Sequence, residues 1–338
     1  MAGETASNCL NPHTARALWY CAPARSELRA ETLPDPSPGS ARVATLWSGI
    51  SRGTERLVAA GLTDPVHRDR MRAPMQAGEF PFPVKYGYCA VGRVEDGPEA
   101  RSHGLAGRLV FALAPHQDRF VAPADALVPV PAAVPARRAT LAANMETALN
   151  ALWDAGAGPG DRIAVVGAGL VGLCITYLCA GLPGADVTAI DPDAGRAPLA
   201  RLFGAAFAAT APDGMEADIV FHTSGTSAGL KAALACCGDE GRVVEMSWYG
   251  DRPVEVTLGG GFHHRRLALL SSQVGAVSPG RRPRWSHRRR LAKALDLLAD
   301  PRLDALITRE VAFDDLPAEL PRILGPDPEG IATVVRYG

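Results

Sequence analysis

The chain lacks the features of several unusual protein classes. Its formal net charge is −1, from 35 Lys plus Arg against 36 Asp plus Glu, so no excess of one sign attracts nucleic acid or an anionic membrane. Its longest apolar run, 163–182, is interrupted by glycines and is a poor candidate for a membrane span. We therefore expect no nucleic acid and no membrane among its partners.

Cysteine is also scarce, with seven in 338 residues and no Cys-x-x-Cys pair. A disulfide framework is excluded on this count, and Cys174 and Cys179 fall in an apolar helical stretch where cysteine acts as a small hydrophobe. The N-terminus, with Glu4 and Asn8 and no apolar core segment, does not have the pattern of a secretory signal. We expect a cytoplasmic protein.

What the chain does have is a change of pattern near residue 135. Before it, short β-type runs at 42–46, 90–94 and 108–113 alternate with Gly- and Pro-rich turns, which predicts a mostly β domain. After it, an alanine-rich helical stretch at 138–153 leads into alternating strands and helices, typical of a parallel sheet with crossover helices. The later predicted strands are 162–166, 186–190, 218–222, 242–247, 267–272 and 331–336, and the later predicted helices are 286–298 and 316–323. The pattern as a whole predicts an α/β fold.

The strongest motif is Gly167-Ala168-Gly169-Leu170-Val171-Gly172, which follows the apolar strand 163–166 and opens a helical run. In that context the first glycine permits a tight turn, the second lets the backbone approach a pyrophosphate, and the third allows close contact between helix and strand. The helix N-terminus, at Leu170 and Val171, offers free N–H groups to phosphates. The motif predicts a dinucleotide site.

Asp191 ends the next predicted strand, where a carboxylate would bind the ribose hydroxyls and repel a 2′-phosphate. We therefore expect NAD rather than NADP as the cofactor. Two alternatives stay open. The glycines can serve packing alone, with Asp191 capping the helix after Pro192, or the motif can belong to an S-adenosylmethionine enzyme, which would not predict the long β-rich part in front.

Three stretches resemble the medium-chain dehydrogenase/reductase superfamily in the expected order: Ser48-Gly49-Ile50-Ser51-Arg52-Gly53-Thr54-Glu55, then Gly87-Tyr88-Cys89-Ala90-Val91-Gly92-Arg93-Val94, then the glycine motif. The resemblance implies a GroES-like, mostly β catalytic domain at 1–135 and a doubly wound Rossmann domain at 136–280. The segment 281–338 would return largely to the catalytic domain. The active site would lie in the cleft between the two domains.

The resemblance departs from the zinc-dependent members at the metal ligands. Ser51 lies at or next to the position of a zinc-ligating cysteine in those members. Tyr88 replaces their histidine, and Cys89 replaces their glutamate. The stretch 110–128 has no cysteine and is too short for the structural zinc lobe. We expect no metal, although a rearranged site using Cys89, His116 and Glu146 is conceivable. Within the superfamily, the chain is most similar to the branch that contains the bacteriochlorophyllide a dehydrogenases.

Without zinc, a hydrogen-bond donor must stabilise the oxygen of the reacting carbonyl or alcohol. Tyr88 is the first candidate for this donor, and the alternative is that its ring only forms part of the pocket wall. Ser51 or Thr54 could pass a proton. His116 is a further candidate for proton transfer, although a lone loop histidine is more often an exposed structural residue. Thr147 resembles the position that touches nicotinamide in the family.

The segment 281–290 carries six arginines around Trp285. We interpret it as a solvated or subunit-facing surface, with an anchor for a carboxylate or phosphate of a bulky substrate as the alternative.

Together these features predict an NAD-dependent, zinc-independent homodimer that interconverts a secondary alcohol and a ketone on a fairly large small-molecule substrate, one that is bulky or anionic. Two other functions remain open: a zinc-free enoyl or quinone reductase, and a non-catalytic NAD-binding sensor or scaffold.

Overall fold

The computed structural model describes residues 13–66, 68–98, 100, 104–250, 252–325 and 329–338. The sequence predictions that concern Glu4, Asn8 and Cys9 lie outside these residues. Among the described residues, a helix with the length and hydropathy of a transmembrane segment does not occur.

The first part of the chain consists mainly of antiparallel strands joined by turns. Its elements are β1 (Thr14–Ala22), β2 (Arg25–Thr32), β3 (Ser40–Ile50), α1 (Arg52–Ala59), α2 (Arg68–Met71), β4 (Ala77–Gly78), β5 (Val84–Lys85), β6 (Ala90–Asp96), β7 (Leu109–Ala112), β8 (Arg119–Pro123) and β9 (Val128–Pro129). The predicted runs at 42–46, 90–94 and 108–113 lie on β3, β6 and β7. The strands β1 and β2, which the sequence pattern does not predict, pair with each other over nearly their whole length.

The second part alternates strands with helices. Its elements are α3 (Ala136–Ala139), α4 (Ala142–Ala155), β10 (Arg162–Val166), α5 (Leu170–Ala180), β11 (Asp186–Ile190), α6 (Ala197–Leu202), β12 (Ala206–Ala208), β13 (Ala217–His222), α7 (Ser227–Cys236), β14 (Cys237–Glu245), α8 (Gly261–His264) and β15 (Ala268–Ser271). The strands form a parallel sheet in the order β12-β11-β10-β13-β14-β15. The order reverses between β10 and β13, so the carboxyl ends of these two strands border a crevice. The predicted doubly wound sheet is confirmed.

The helical stretch predicted at 138–153 is divided in the structure into two helices, α3 and α4. At the break, the Thr140 hydroxyl donates to the carbonyl of Arg137, and such a local bond competes with the helical pattern. The Thr140 carbonyl lies only 3.1 Å from where a Cβ on Gly49 would stand. The break therefore sits where β3 passes close to the start of the helical region.

The last part of the chain adds elements to both preceding parts. These are α9 (His287–Leu297), β16 (Ile307–Ala312), α10 (Leu316–Ile323) and β17 (Ala332–Arg336). The strand β17 pairs antiparallel with β3, and β16 pairs with β17, so both extend a sheet of the first part. The buried face of α9, with Leu291, Ala294 and Leu295, packs in the hydrophobic cluster that also holds α4. The division of the chain at 135 and 280 stays a prediction.

Candidate active site

The glycine motif occupies the turn between β10 and α5, at the crevice of the parallel sheet. Gly167 has φ of 103°, a conformation that favours glycine. A Cβ on Gly172 would lie 1.9 Å from the Gly167 carbonyl oxygen, whereas a Cβ on Gly169 would meet nothing within 4 Å. Packing therefore accounts for the first and third glycines. The second faces open space beside the N-terminus of α5, where a phosphate can approach.

Asp191 follows β11 directly, and its carboxylate is tied to the glycine turn. Oδ2 accepts a hydrogen bond from the N–H of Ala168 at 2.7 Å, and Oδ1 accepts one from Asp193 N–H at 2.9 Å. The alternative in which Asp191 caps the following helix is wrong, because Asp193 caps the 3₁₀ turn Ala194–Arg196 that leads into α6 and accepts from Gly195 N–H. The carboxylate thus stands at the edge of the cradle where a ribose is expected.

Two arginines that the sequence analysis missed converge near this cradle. Arg52, on α1, and Arg196, just after Asp191 in the chain, both donate to the carbonyl of Gly330. Burial first, and then the charge of Arg196, lower the pKa of Arg52. Arg52 has no carboxylate partner among the residues that the structure describes. Arg196 is already paired with Asp193, whose Oδ2 lies 2.9 Å from its Nε, so Arg52 is the cation that favours an anion beside it. No sequence signal singles out one arginine among so many.

The predicted hydroxyl candidates meet at the start of α1. The Tyr88 hydroxyl donates to Ser51 Oγ at 2.5 Å, and Thr54 follows on the first turn of α1, with its N–H donating to the Ser51 carbonyl at 3.1 Å. Burial, and next the adjacent Cys89 thiol, raise the pKa of Tyr88. The phenol therefore keeps its proton at neutral pH and is suited to donate a hydrogen bond.

Behind this pair lies a buried network centred on Glu55, which is fully inaccessible to solvent. Its carboxylate accepts from the N–H of Ser51 at 2.7 Å and from the Tyr20 hydroxyl at 2.8 Å. His116 Nε2 is 3.0 Å from the same carboxylate, and its Nδ1 is 2.7 Å from Ser48 Oγ. The network fixes the first turn of α1 and hence the position of Ser51.

His116 is therefore not the exposed loop residue that its sequence context favours, since it is completely buried. A Cβ on Gly87 would come within 2.9 Å of its ring, so Gly87 makes room for the imidazole. Its hydrogen bonds run to Glu55 and Ser48, and it is not brought onto the hydroxyl of Tyr88. Thr147 lies on α4 with its hydroxyl bonded to the carbonyl of Ala143.

The conceivable metal site of Cys89, His116 and Glu146 is not assembled. His116 is paired with Glu55, and Glu146 with Arg290. Within the described ranges, no three or more His, Cys, Asp or Glu side chains are grouped so that they could hold a metal ion.

The arginine-rich segment is only partly the surface that we predicted. Arg289 stacks over the Trp285 ring at 4.0 Å, as an exposed arginine can. Arg290 instead is 1% exposed, and its Nε is 2.9 Å from Glu146 Oε1. It serves neither as a solvated surface residue nor as an anion anchor, because its charge is already neutralised by a buried carboxylate.

The loop after β14 contacts the loop after α1 and thereby joins the two parts of the chain beside the candidate site. A Cβ on Gly250 would lie 2.9 Å from the Leu62 carbonyl oxygen and 3.6 Å from the Leu57 side chain. The loop that follows β14 in the second part of the chain is thus packed against α1, the helix that Ser51 directly precedes.

No family model matches the chain. D-guloside 3-dehydrogenase of Escherichia coli K12 is 26% identical over 197 residues, which are 54% of this chain and 56% of that protein. The chain thus spans just over half the length of the curated relatives it matches.

Solved structures are similar over nearly the whole chain. A protein of Sinorhizobium meliloti 1021, assigned as a zinc-binding dehydrogenase and bound to NADP, aligns with a TM-score of 0.76 at 18% identity and covers 96% of this chain and 99% of its own. An alcohol dehydrogenase of Escherichia coli CFT073 in complex with NADH aligns with a TM-score of 0.76 at 18% identity, over 96% of this chain and 100% of its own. The chain therefore has the fold of these two dehydrogenases, and this is the kind of fold that its sequence motifs predict.

Proposed function

We propose that this protein is an oxidoreductase that uses NAD, without zinc, to interconvert a secondary alcohol and a ketone on a fairly large substrate. The observation that carries the proposal is the hydrogen bond between the hydroxyls of Tyr88 and Ser51. These two residues stand at positions where the zinc-dependent members of the superfamily that the sequence resembles have zinc ligands. In the proposed enzyme this pair and the glycine turn, which is open in front of Gly169, line one cleft. The similar dehydrogenases with bound NADP and NADH support a nicotinamide cofactor.

Each residue has a distinct task in this reaction. A nicotinamide cofactor would supply the hydride acceptor for the alcohol and the hydride donor for the ketone. The Gly167–Gly172 turn and Arg52 would hold its phosphates, and Asp191 would hold its ribose. Tyr88 donates a hydrogen bond to the substrate oxygen, where negative charge develops during hydride transfer.

The proton that the alcohol releases passes from the substrate oxygen to solvent through Ser51 or Thr54. Glu55 and His116 are positioning residues, because they hold the first turn of α1 without touching the substrate.

Zinc independence gives the first test. Purified protein should contain less than one zinc per chain by elemental analysis. It should also oxidise NADH with at least one of a panel of bulky ketones, at a rate that a strong chelator leaves unchanged. An enone and quinone panel measured in parallel distinguishes the double-bond reductase, and binding of NADH without turnover in any panel would indicate a sensor. One tightly held zinc per chain, with activity lost on its removal, would contradict the proposal.

Cofactor choice gives the second test. NAD(H) should bind at least about tenfold more tightly than NADP(H), a difference of ~1.4 kcal/mol, because the Asp191 carboxylate repels a 2′-phosphate. Titration of protein fluorescence with each cofactor measures the ratio. Asp191→Asn should bring the two affinities together, whereas Asp186→Asn, at an exposed residue at the other end of β11, should preserve the preference. Equal affinities in the unchanged protein would remove this role of Asp191.

We also propose that the protein forms a homodimer through β15, the edge strand of the parallel sheet. All four of its residues are exposed, including Leu269 at 38% and Leu270 at 36%. An exposed apolar edge strand invites pairing with a second copy. The cytoplasm remains our proposed location, since the six cysteines in the described part of the chain are all free thiols.

A further inference from the structure

A second group of polar side chains lies at the carboxyl ends of β13 and β14, apart from the tyrosine site. His222, the last residue of β13, is completely buried. Its Nδ1 is 2.8 Å from Glu245 Oε2, and its Nε2 is 2.7 Å from Ser224 Oγ. A carboxylate can only accept, so the network assigns the imidazole proton to Nδ1 and leaves Nε2 to accept from the Ser224 hydroxyl.

Glu245 is held firmly in its orienting position. Its Oε2 accepts from the Tyr249 hydroxyl at 3.1 Å, and its Oε1 accepts from the Ser247 N–H at 2.7 Å. Burial works against the charged form, but the hydrogen bonds from the His222 ring and from Ser247 outweigh it and hold the pKa of Glu245 below its ordinary value. The carboxylate is therefore ionised and fixes the imidazole ring.

Ser224 lies against the first turn of α7, a helix of ten residues. A Cβ on Gly229 would stand 2.0 Å from Ser224 Oγ, so glycine is required for this close approach. The Thr226 hydroxyl caps the helix by accepting from Gly229 N–H at 3.0 Å. The N–H groups of Ser227 and Ala228 have no acceptor within the helix and none elsewhere in the described part of the chain. They can stabilise a developing oxyanion next to the hydroxyl.

We propose that Ser224, His222 and Glu245 are the nucleophile, general base and orienting carboxylate of a second catalytic site, which hydrolyses small activated esters. A nucleophile within hydrogen-bonding distance of a base, which a third group orients in turn, is the geometric signature of such sites on unrelated folds. It requires no cofactor.

The reaction is balanced without any oxidant or reductant. Ser224 Oγ forms a bond to the ester carbonyl carbon while its proton moves to His222 Nε2. The bond to the leaving alkoxide breaks, and the imidazolium returns the proton to it as an alcohol. Water then adds to the acyl-enzyme through the same base, releasing the acid and restoring the serine hydroxyl.

The site borders the proposed cofactor cradle. A Cβ on Gly167 would lie 2.8 Å from the Ser224 backbone nitrogen, so the serine loop and the glycine turn share one crevice. Bound dinucleotide would therefore cover Ser224, and ester hydrolysis belongs to the cofactor-free protein.

The test measures release of p-nitrophenol from p-nitrophenyl acetate and covalent labelling by a fluorophosphonate, with the label located by mass spectrometry. The label should lie on Ser224. Ser224→Ala should abolish both signals and His222→Gln should slow them by roughly 10²-fold or more, while Ser26→Ala, at a half-buried serine on β2, should change neither. Because Ser224 is half-exposed, its alanine variant should fold even if the His222 variant does not. Label on another residue, or hydrolysis that persists in Ser224→Ala, would overturn the proposal.

A second arm tests the shared crevice. Once fluorescence has established that NADH is bound, saturating NADH should slow labelling of Ser224 at least tenfold. Undiminished labelling of Ser224 with NADH bound would overturn the exclusion between cofactor and ester. Failure of NADH to bind would instead contradict the proposed oxidoreductase function.

Discussion

Tyr88→Phe should lower kcat for ketone reduction by roughly 10²- to 10³-fold, the usual effect of removing one donor that stabilises a developing oxyanion. The phenol keeps its proton, and with substrate bound it would turn that proton from Ser51 Oγ to the substrate oxygen, while the Ser51 hydroxyl donates to the phenol oxygen. The phenylalanine ring still fills the same space, so the melting temperature and the affinity for NAD should change little. Steady-state kinetics, cofactor titration and thermal unfolding on the purified variant measure the three quantities.

Tyr20→Phe is the matched control, since Tyr20 also donates to an acceptor of the same network but lies on the far side of Glu55. Removing this buried hydrogen bond should lower the free energy of unfolding by ~1–3 kcal/mol, whereas kcat should decrease only slightly. Ser51→Ala tests the proton path separately. Near wild-type turnover in Tyr88→Phe would transfer the catalytic role to Ser51 or Thr54 and leave Tyr88 as a pocket wall.

The sequence predicts best those parts of the fold that local pattern determines. The strands β10 and β11 are predicted with their observed first and last residues, because each is a short apolar run bounded by turn residues. The glycine motif directly follows β10, and an aspartate directly follows β11. The pairing of Tyr88 with Ser51 is anticipated only through the family resemblance. The two residues are 37 positions apart, and no local signal relates them.

The parts that the sequence does not predict depend on contacts between distant segments. His222 and Glu245 meet because β13 and β14 are adjacent in register, yet each looks like an ordinary strand end in the sequence. His116 becomes buried because β3 and α1 bring Ser48 and Glu55 around it. A run of arginines such as 281–290 indicates an exposed surface. Arg290 is buried, unlike its neighbour Arg289, because α9 packs on α4.

The burial of Arg290 leads to the second large predicted effect, a loss of stability. Arg290→Met should lower the free energy of unfolding by ~3–5 kcal/mol, the usual cost of removing one partner of a buried ion pair. The guanidinium pairs with Glu146 and also donates to Asn150 and to the carbonyls of Val274 and Ala276. Methionine has a similar length, so the loss arises mainly from the carboxylate left without a partner. Chemical denaturation monitored by fluorescence measures it.

The loss of stability in Arg290→Met should also depend on pH, and the direction of that dependence identifies Glu146 as its source. Burial raises the pKa of Glu146 in the intact protein, and Arg290 opposes that rise. Without Arg290 the rise is unopposed. A carboxyl whose pKa is higher in the folded than in the unfolded state stabilises the fold at low pH and loses that contribution as the pH increases. The deficit of the variant should therefore be larger at roughly pH 8 than at about pH 5, where Glu146 begins to take up a proton.

Two further variants separate charge from packing. Arg289→Met, one position earlier on an exposed arginine that stacks on Trp285, should cost less than about 1 kcal/mol. The double variant Glu146→Leu with Arg290→Met removes both charges and should recover much of the lost stability, since apolar replacement of a whole buried pair is often neutral. A deficit that persists in the double variant and ignores pH would mean that Arg290 acts through its bonds to the 274–276 carbonyls. The arginine would then hold the loop after β15 in place, and its partnership with α4 would be secondary.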